Sequence, residues 1–299
     1  MTRRGSGRLA AGLVSPTLVV LALVVAYPVI SAVRLAFYRR EDGIDPETGL
    51  IRAGERFVGL DNFAEMFGGD STGRFLDALA NTTTFTLAGV SLEVVLGVLM
   101  ALVMHRAFRG RALVRASILV PWAVPTAIAG LLWRWVFQAD GVANDLLPGP
   151  PVLWTTDGFQ AWVAVVVADT WKTAPFIGLL VLAGLQVIPN EIHEAARLDG
   201  ATGWRAFFSI TLPLVKPTLL VAVLFRVLDT LRMFDLPYTL IGPGKEATDT
   251  VTVLAFEEAV TFGRFGPASA YAVTLFAYVA VVAFVFVRLL GADVLGSRR

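Results

Sequence analysis

The chain has 299 residues, of which 56% are hydrophobic and only 16% charged, with a formal net charge of +1. Soluble domains carry nearer a quarter charged residues, and the mean hydropathy here is +0.69. That balance excludes a soluble enzyme, a disordered chain and a small secreted scaffold, and it gives no basic field for nucleic acid. Cysteine is absent and histidine occurs twice. Disulfides, iron–sulfur clusters and thiol catalysis are thereby excluded, and a zinc site is disfavoured.

The apolar residues fall in long runs, and about 20 such residues cross a bilayer as a helix. The first run, Leu9 to Val33, is free of charge. It is too long for a cleavable leader, and it reads as a retained helix bent near Pro28. The second, Ala78 to Met104, holds one charge, Glu93; the third, Ala116 to Trp133, holds Pro121 and Pro125. The fourth, Phe159 to Ile188, contains Asp169 and Lys172. The fifth starts near Pro217, is apolar to Phe225, and then takes on Arg226, Asp229, Arg232 and Asp235. The sixth, Ala268 to Val287, is charge-free. The pattern predicts an all-α integral membrane protein with six spans over 9–291, short ends at 1–8 and 292–299, and an outer loop at 38–75.

Charge alternates between the loops. Arg3, Arg4 and Arg8 precede the first span; Arg106, Arg109, Arg111 and Arg115 follow the second; Arg197, Arg205 and Lys216 precede the fifth. Arg288, Arg298 and Arg299 close the chain, whereas Asp140 to Asp157 has acids and no Lys or Arg. The positive-inside bias predicts a multi-pass protein of the cytoplasmic membrane with both termini cytoplasmic. Trp133, Trp135, Trp154 and Trp162 suit an outer aromatic belt. In the long outer loop, Phe57-Val-Gly-Leu-Asp-Asn-Phe63 can open a short surface helix.

The loop at 189–217 is the most informative segment. Asn190 can cap a first helix, with Glu191 and Glu194 favoured near its start. Gly200 can end it in a left-handed conformation. Thr202 can cap a second helix, which Pro213 ends. A joining loop needs only a few polar residues. This one presents a preformed helix with small residues on its face, suited either to docking in a partner's groove or to lying on lipid.

Glu194-Ala195-Ala196, three residues, Gly200, nine residues, then Ile210-x-Leu212-Pro213 resembles the EAA signature of ABC-importer permeases. Glu-Ala-Ala-Arg-Leu-Asp-Gly-Ala, Phe57 to Phe63 and Phe234-Asp-Leu-Pro-Tyr-Thr-Leu240 are similar to the sugar-importer branch, the maltose and glycerol-phosphate type. One departure is Gly242-Pro-Gly-Lys-Glu-Ala247, where that branch more often has a run of glycines. The resemblance implies a type I importer permease fold like that of maltose permeases. It implies a second permease subunit as heterodimer partner, two ATPase subunits, and an extracytoplasmic sugar-binding protein. Glu194, Ala195, Ala196, Asp199, Gly200, Ile210, Leu212 and Pro213 would form the coupling segment gripped by the ATPase. It also points to a disaccharide, trehalose foremost. No G-x-x-x-x-G-K-[ST] phosphate loop occurs in the sequence, so ATP and Mg would be held by the partners, this chain would carry no cofactor, and it would not be an enzyme.

A charge at mid-bilayer costs about 2.5–3.5 kcal/mol and usually faces a partner or a cavity. Glu93, Asp169, Lys172, Asp229 and Arg232 are therefore candidates for a hydrophilic path that bonds sugar hydroxyls. Phe234 and Tyr238 are candidates for stacking on sugar rings, and Asn81 for lining the path. Asp169 and Lys172 lie three apart and can pair locally. The competing reading makes these charges structural glue between helices. An ion-driven secondary transporter using Asp169, Asp229 or Glu93 is the other functional class, although such folds show paired repeats that are not evident here.

Overall fold

The computed structural model describes residues 3–44, 51–156 and 158–296. Arg298 and Arg299, residues 45–50 of the outer loop, and Asp157 lie outside the described residues. In chain order the elements begin with α1 (Arg3–Leu21), α2 (Tyr27–Leu35), the strands β1 (Tyr38–Ile44) and β2 (Ile51–Phe57), and α3 (Asp61–Gly68). They continue with α4 (Thr72–His105), α5 (Arg111–Ala123), α6 (Thr126–Val136), α7 (Val142–Asp145) and α8 (Phe159–Gln186). Then come α9 (Asn190–Leu198), α10 (Gly203–Ala206), α11 (Leu212–Thr230), α12 (Asp235–Leu240), α13 (Val251–Phe256) and α14 (Phe265–Gly296). The chain falls into two compact units, Met1–Gly73 with Leu254–Phe276, and Arg74–Val253 with Ala277–Arg299.

Five helical stretches are long and apolar enough to span a bilayer: Gly12–Leu35, Thr72–His105, Phe159–Gln186, Gly203–Thr230 and Phe265–Arg288. The third run of the sequence does not form one straight span. It is split into α5 and α6, which meet at 98°. The cause is Pro125: the preceding Val124 adopts an extended ψ of 130°, as sterics demand of a residue before proline. The missing N–H of Pro125 also removes a helical hydrogen bond.

Other prolines are absorbed. A proline ring presses on the carbonyl four residues back, which for Pro28 and Pro213 belongs to Val24 and Ser209. Both carbonyls lie in wide π-type turns, Ala22–Ala26 and Phe207–Thr211. There the Tyr27 N–H donates to the Ala22 carbonyl and the Leu212 N–H to the Phe207 carbonyl, each five residues back. The widened turn gives the ring room. Pro213 therefore does not end a helix: the fifth span begins upstream of Pro217, at Gly203.

In the first unit, β1 and β2 pair antiparallel with Tyr38 opposite Phe57, a hairpin in an otherwise helical chain that was expected to be all-α. Asn62, only 3% exposed, pins it. Its Nδ2 donates to the carbonyls of Ala36 (2.9 Å) and Tyr38 (3.0 Å), and its Oδ1 accepts from Arg39 Nε at 3.1 Å. The Phe57-to-Phe63 segment leads into α3 at Asp61. The apolar side chains of Leu13–Val25 are exposed within the chain, a surface suited to lipid.

In the second unit, α8 is the enclosed helix. Ala161, Ala164, Val165 and Ala168 pack with Phe85, Phe137, Leu236 and Leu240, and Trp133, Trp154 and Trp162 pack against this cluster. These three indoles are partly buried against the cluster, whereas Trp135 is 62% exposed. A second cluster joins Ala101 and Met104 of α4 to Ile177, Val181 and Leu185 of α8 and Val215 and Ala222 of α11.

Candidate functional site

Gly89, Glu93 and Gly97 recur every four residues on α4 and so share one face. Asp169, Thr173 and Ile177 do the same on α8. A Cβ at Gly97 would lie 2.8 Å from Ile177 Cβ, and one at Gly178 would lie 3.2 Å from the Gly97 carbonyl. The missing side chains let the two backbones approach, as small residues do between membrane helices. That approach brings Glu93 onto α8, where Thr173 Oγ1 donates to Glu93 Oε1 at 2.7 Å.

Arg226 of α11 completes the cluster. Its Nε donates to Glu93 Oε2 at 2.7 Å and its Nη2 to Glu93 Oε1 at 2.9 Å. Nη2 also reaches Asp169 Oδ2 at 3.1 Å and Thr230 Oγ1 at 3.0 Å. Nη1 donates to Asp229 Oδ2 at 2.5 Å. The planar fork suits such multiple carboxylate contacts. The side chains of Arg226 and Glu93 are 4% and 0% exposed, whereas that of Asp229 is 66% exposed. Burying charges is expensive unless they are paired, and here one guanidinium ties α4, α8 and α11 together.

The cluster opens on a cavity of about 520 Å³. Asp169, Lys172, Asp229, Arg232 and Phe234 line it, with Asp235, Trp122 and Phe176. Five of the expected path residues are therefore brought together, and Glu93 joins them through Arg226. Asp169 and Lys172 do not form the local pair expected of them, because Asp169 turns to Arg226. Arg232 donates from Nε to the Leu228 carbonyl. Tyr238 is not part of the wall; it stacks on Phe234 with ring centroids 5.0 Å apart. Asn81 is spent elsewhere, its Nδ2 donating to the carbonyls of Glu246 (2.7 Å) and Asp249 (3.0 Å). The expected set left out Arg226, Thr173 and Thr230 of the cluster, and Asp235, Trp122 and Phe176 of the wall. Arg226 was visible as the charge that ends the apolar run from Pro217 to Phe225. The two threonines carry no sequence signal, since threonine commonly bonds back to its own helix.

The other candidate segment is α9 and its exit. Pro189, not Asn190, stands before the helix, and Asn190 is its first residue. The exit is a Schellman closure: Ala201 N–H donates to the Ala196 carbonyl (2.9 Å) and Gly200 N–H to the Arg197 carbonyl (3.1 Å). Gly200 has φ +72°. Thr202 Oγ1 accepts from the Arg205 N–H. Glu194, Ala195, Asp199, Gly200 and Pro213 are exposed, while Ile210 and Leu212 are half-buried. Ala196 is 5% exposed and packs inward, so it anchors the helix instead of offering a contact. Leu198, 89% exposed, takes its place on the outer face.

Bilayer-length helices with a fixed charge cluster beside a cavity lined by charged and aromatic side chains suit a membrane transport component. The chain belongs to the family described as the binding-protein-dependent transport system inner membrane component, whose model matches residues 93–298. Membership makes it a multi-pass membrane subunit rather than an enzyme. It is 36% identical over 299 residues to the trehalose transport system permease protein SugA of Mycobacterium tuberculosis, covering 99% of this chain and 93% of that one. It is 38% identical over 282 residues to the trehalose/maltose transport system permease protein MalF of Thermococcus litoralis, covering 93% and 91%. It is 35% identical over 291 residues to the sulfoquinovosyl glycerol transport system permease protein SmoG of Agrobacterium fabrum, covering 96% and 91%. A chain from the crystal structure of a bacterial ABC transporter involved in the import of the acidic polysaccharide alginate matches with a TM-score of 0.79 at 22% identity, over 99% of this chain and 98% of that one. The fold is that of type I importer permeases.

Proposed function

We propose that the chain is one of two permease subunits of an ATP-driven importer that receives a disaccharide, trehalose foremost, from an extracytoplasmic binding protein and releases it to the cytoplasm. Separate ATPase subunits hold ATP and Mg and grip α9 from the cytoplasmic side, where both termini also lie. The observation that carries this reading is the α9 elbow, a short helix closed by Gly200 with Glu194, Ala195, Leu198 and Asp199 exposed together. An apolar side chain standing bare beside charged ones suits a helix laid in a partner's groove. Closure of the ATPase dimer would draw such elbows together and rock the spans between outward-open and inward-open states. The sugar relatives support the substrate class, and a cavity of about 520 Å³ is within the usual range for small-molecule sites.

The test is uptake of radiolabelled trehalose by proteoliposomes holding the permease pair, the ATPase and the binding protein. Uptake should require all three and ATP. Uptake that survives removal of the ATPase and stops when the ion gradient is dissipated would replace this reading by an ion-driven transporter.

A further inference from the structure

We infer that Arg226 is a positioning residue and that Asp229, which it holds, is the ligand-contacting carboxylate of the cavity, taking a hydroxyl of a neutral carbohydrate on its free oxygen. The inference rests on the import reading above and deepens it.

Two functions are divided within one cluster. Glu93, Asp169 and Thr230 take the Nε and Nη2 of Arg226, and all of them are buried. Those contacts tie three helices together, and they would do so without Asp229. Asp229 sits three residues along the same helix as Arg226, and its side chain is 66% exposed. A pair whose two partners belong to one helix does not itself hold that helix to another. Structural glue therefore accounts for Glu93 and Asp169 but not for Asp229.

What Asp229 gains from Arg226 is a fixed place. Nη1 is the one prong of the guanidinium that reaches it, and the other prongs are anchored from α4 and α8. Its Oδ2 is thereby held, while Oδ1 has no protein hydrogen-bond partner among the described residues. A charged acceptor held in place and open to a cavity is what a hydroxyl donor requires. The charges around it select the class of donor. In the cavity wall Asp169, Asp229 and Asp235 balance Lys172, Arg226 and Arg232, so no net positive charge draws an anion. Phe234 adds an apolar wall for the carbon face of a ring.

The experiment uses the complete reconstituted complex with trehalose and maltose as probes. It reads binding-protein-stimulated ATP hydrolysis and sugar taken up per ATP. Asp229→Ala leaves Arg226 with Glu93 and Asp169, so the complex should assemble. Sugar per ATP should fall about tenfold, the loss of one hydrogen bond to a charged group. Arg226→Lys, which keeps the charge but not the fork, should lower sugar per ATP as well. Asp229→Glu, at an exposed position that tolerates it, keeps the charge but moves the oxygens, and should lose sugar per ATP too; it decides the positioning role if Arg226→Lys does not assemble. Unchanged sugar per ATP in Asp229→Ala overturns the ligand contact. Full coupling in Arg226→Lys or Asp229→Glu overturns the positioning role. If the unaltered complex imports neither sugar, the proposed function itself falls, and this inference with it.

Discussion

Arg226 and Glu93 lie 133 positions apart in the chain, yet they meet in a two-pronged ion pair, Nε to Oε2 at 2.7 Å and Nη2 to Oε1 at 2.9 Å, with almost no solvent access. Such a pair contributes little net stability over an apolar pair of the same shape, but removing one partner strands the other. Arg226→Met would leave Glu93 and Asp169 uncompensated. It should cost about 3–5 kcal/mol, seen as a lower melting temperature of the purified protein in detergent. Adding Glu93→Gln should recover part of the loss. Equal melting for Arg226→Met and the parent would mean that the cluster holds nothing together.

The α4–α8 crossing depends on an absent side chain. Gly97→Leu would place its Cβ 2.8 Å from Ile177 and 3.0 Å from the Ala174 carbonyl. Overpacking of this kind costs about 1–3 kcal/mol, and it should lever Glu93 away from Thr173. Gly68→Ala, where nothing lies within 4 Å of the added Cβ, is the control and should melt like the parent. If Gly97→Leu also does, the helices are not close-packed there.

Gly200 stands at φ +72°, a conformation that costs other residues about 1–2 kcal/mol and a β-branched one more. Gly200→Val should spoil the exit of α9, and Glu194→Lys should reverse the charge on its exposed face. Both should abolish ATP-driven uptake while membrane fractionation shows normal insertion. Uptake at the parental rate would detach α9 from coupling.

In the first unit, Asn62→Ala would remove the amide that the Ala36 and Tyr38 carbonyls accept from and leave Arg39 with Glu65 alone of its two acceptors. Lost bonds of this kind at a buried position cost about 1–3 kcal/mol. The local readout is amide hydrogen exchange, which should quicken across Tyr38–Ile44 and stay unchanged in α8. Protection equal to the parent in that strand would count against the clamp.

Much of this site could be read from the chain. Glu93, Asp169 and Lys172 were conspicuous as charges in apolar runs, and they do converge with α11. Their pairings were not legible, because which acid meets Arg226 depends on the rotation of three helices. Asn81 looked like a path residue by type, but carbonyls 165 and 168 positions away take its amide. The hairpin escaped because Tyr38–Ile44 and Ile51–Phe57 lack the apolar–polar alternation of a half-buried strand. Prolines misled in both directions. Pro213 looked like a stop and is absorbed, while Pro125 looked like part of a span and breaks it. The difference lies in the preceding backbone: Leu212 stays helical behind a wide turn, and Val124 extends.

The wide turn at Phe207–Thr211 has a consequence for register. It spends one residue more than an ordinary helical turn, and one residue is about 100° of azimuth. Closing that turn to ordinary helical geometry with every residue kept would swing everything downstream by that angle, aiming the guanidinium of Arg226 away from α4 without touching any residue of the cluster. The proline that forces the turn thus acts, some thirteen residues ahead, as the dial that points the charge inward.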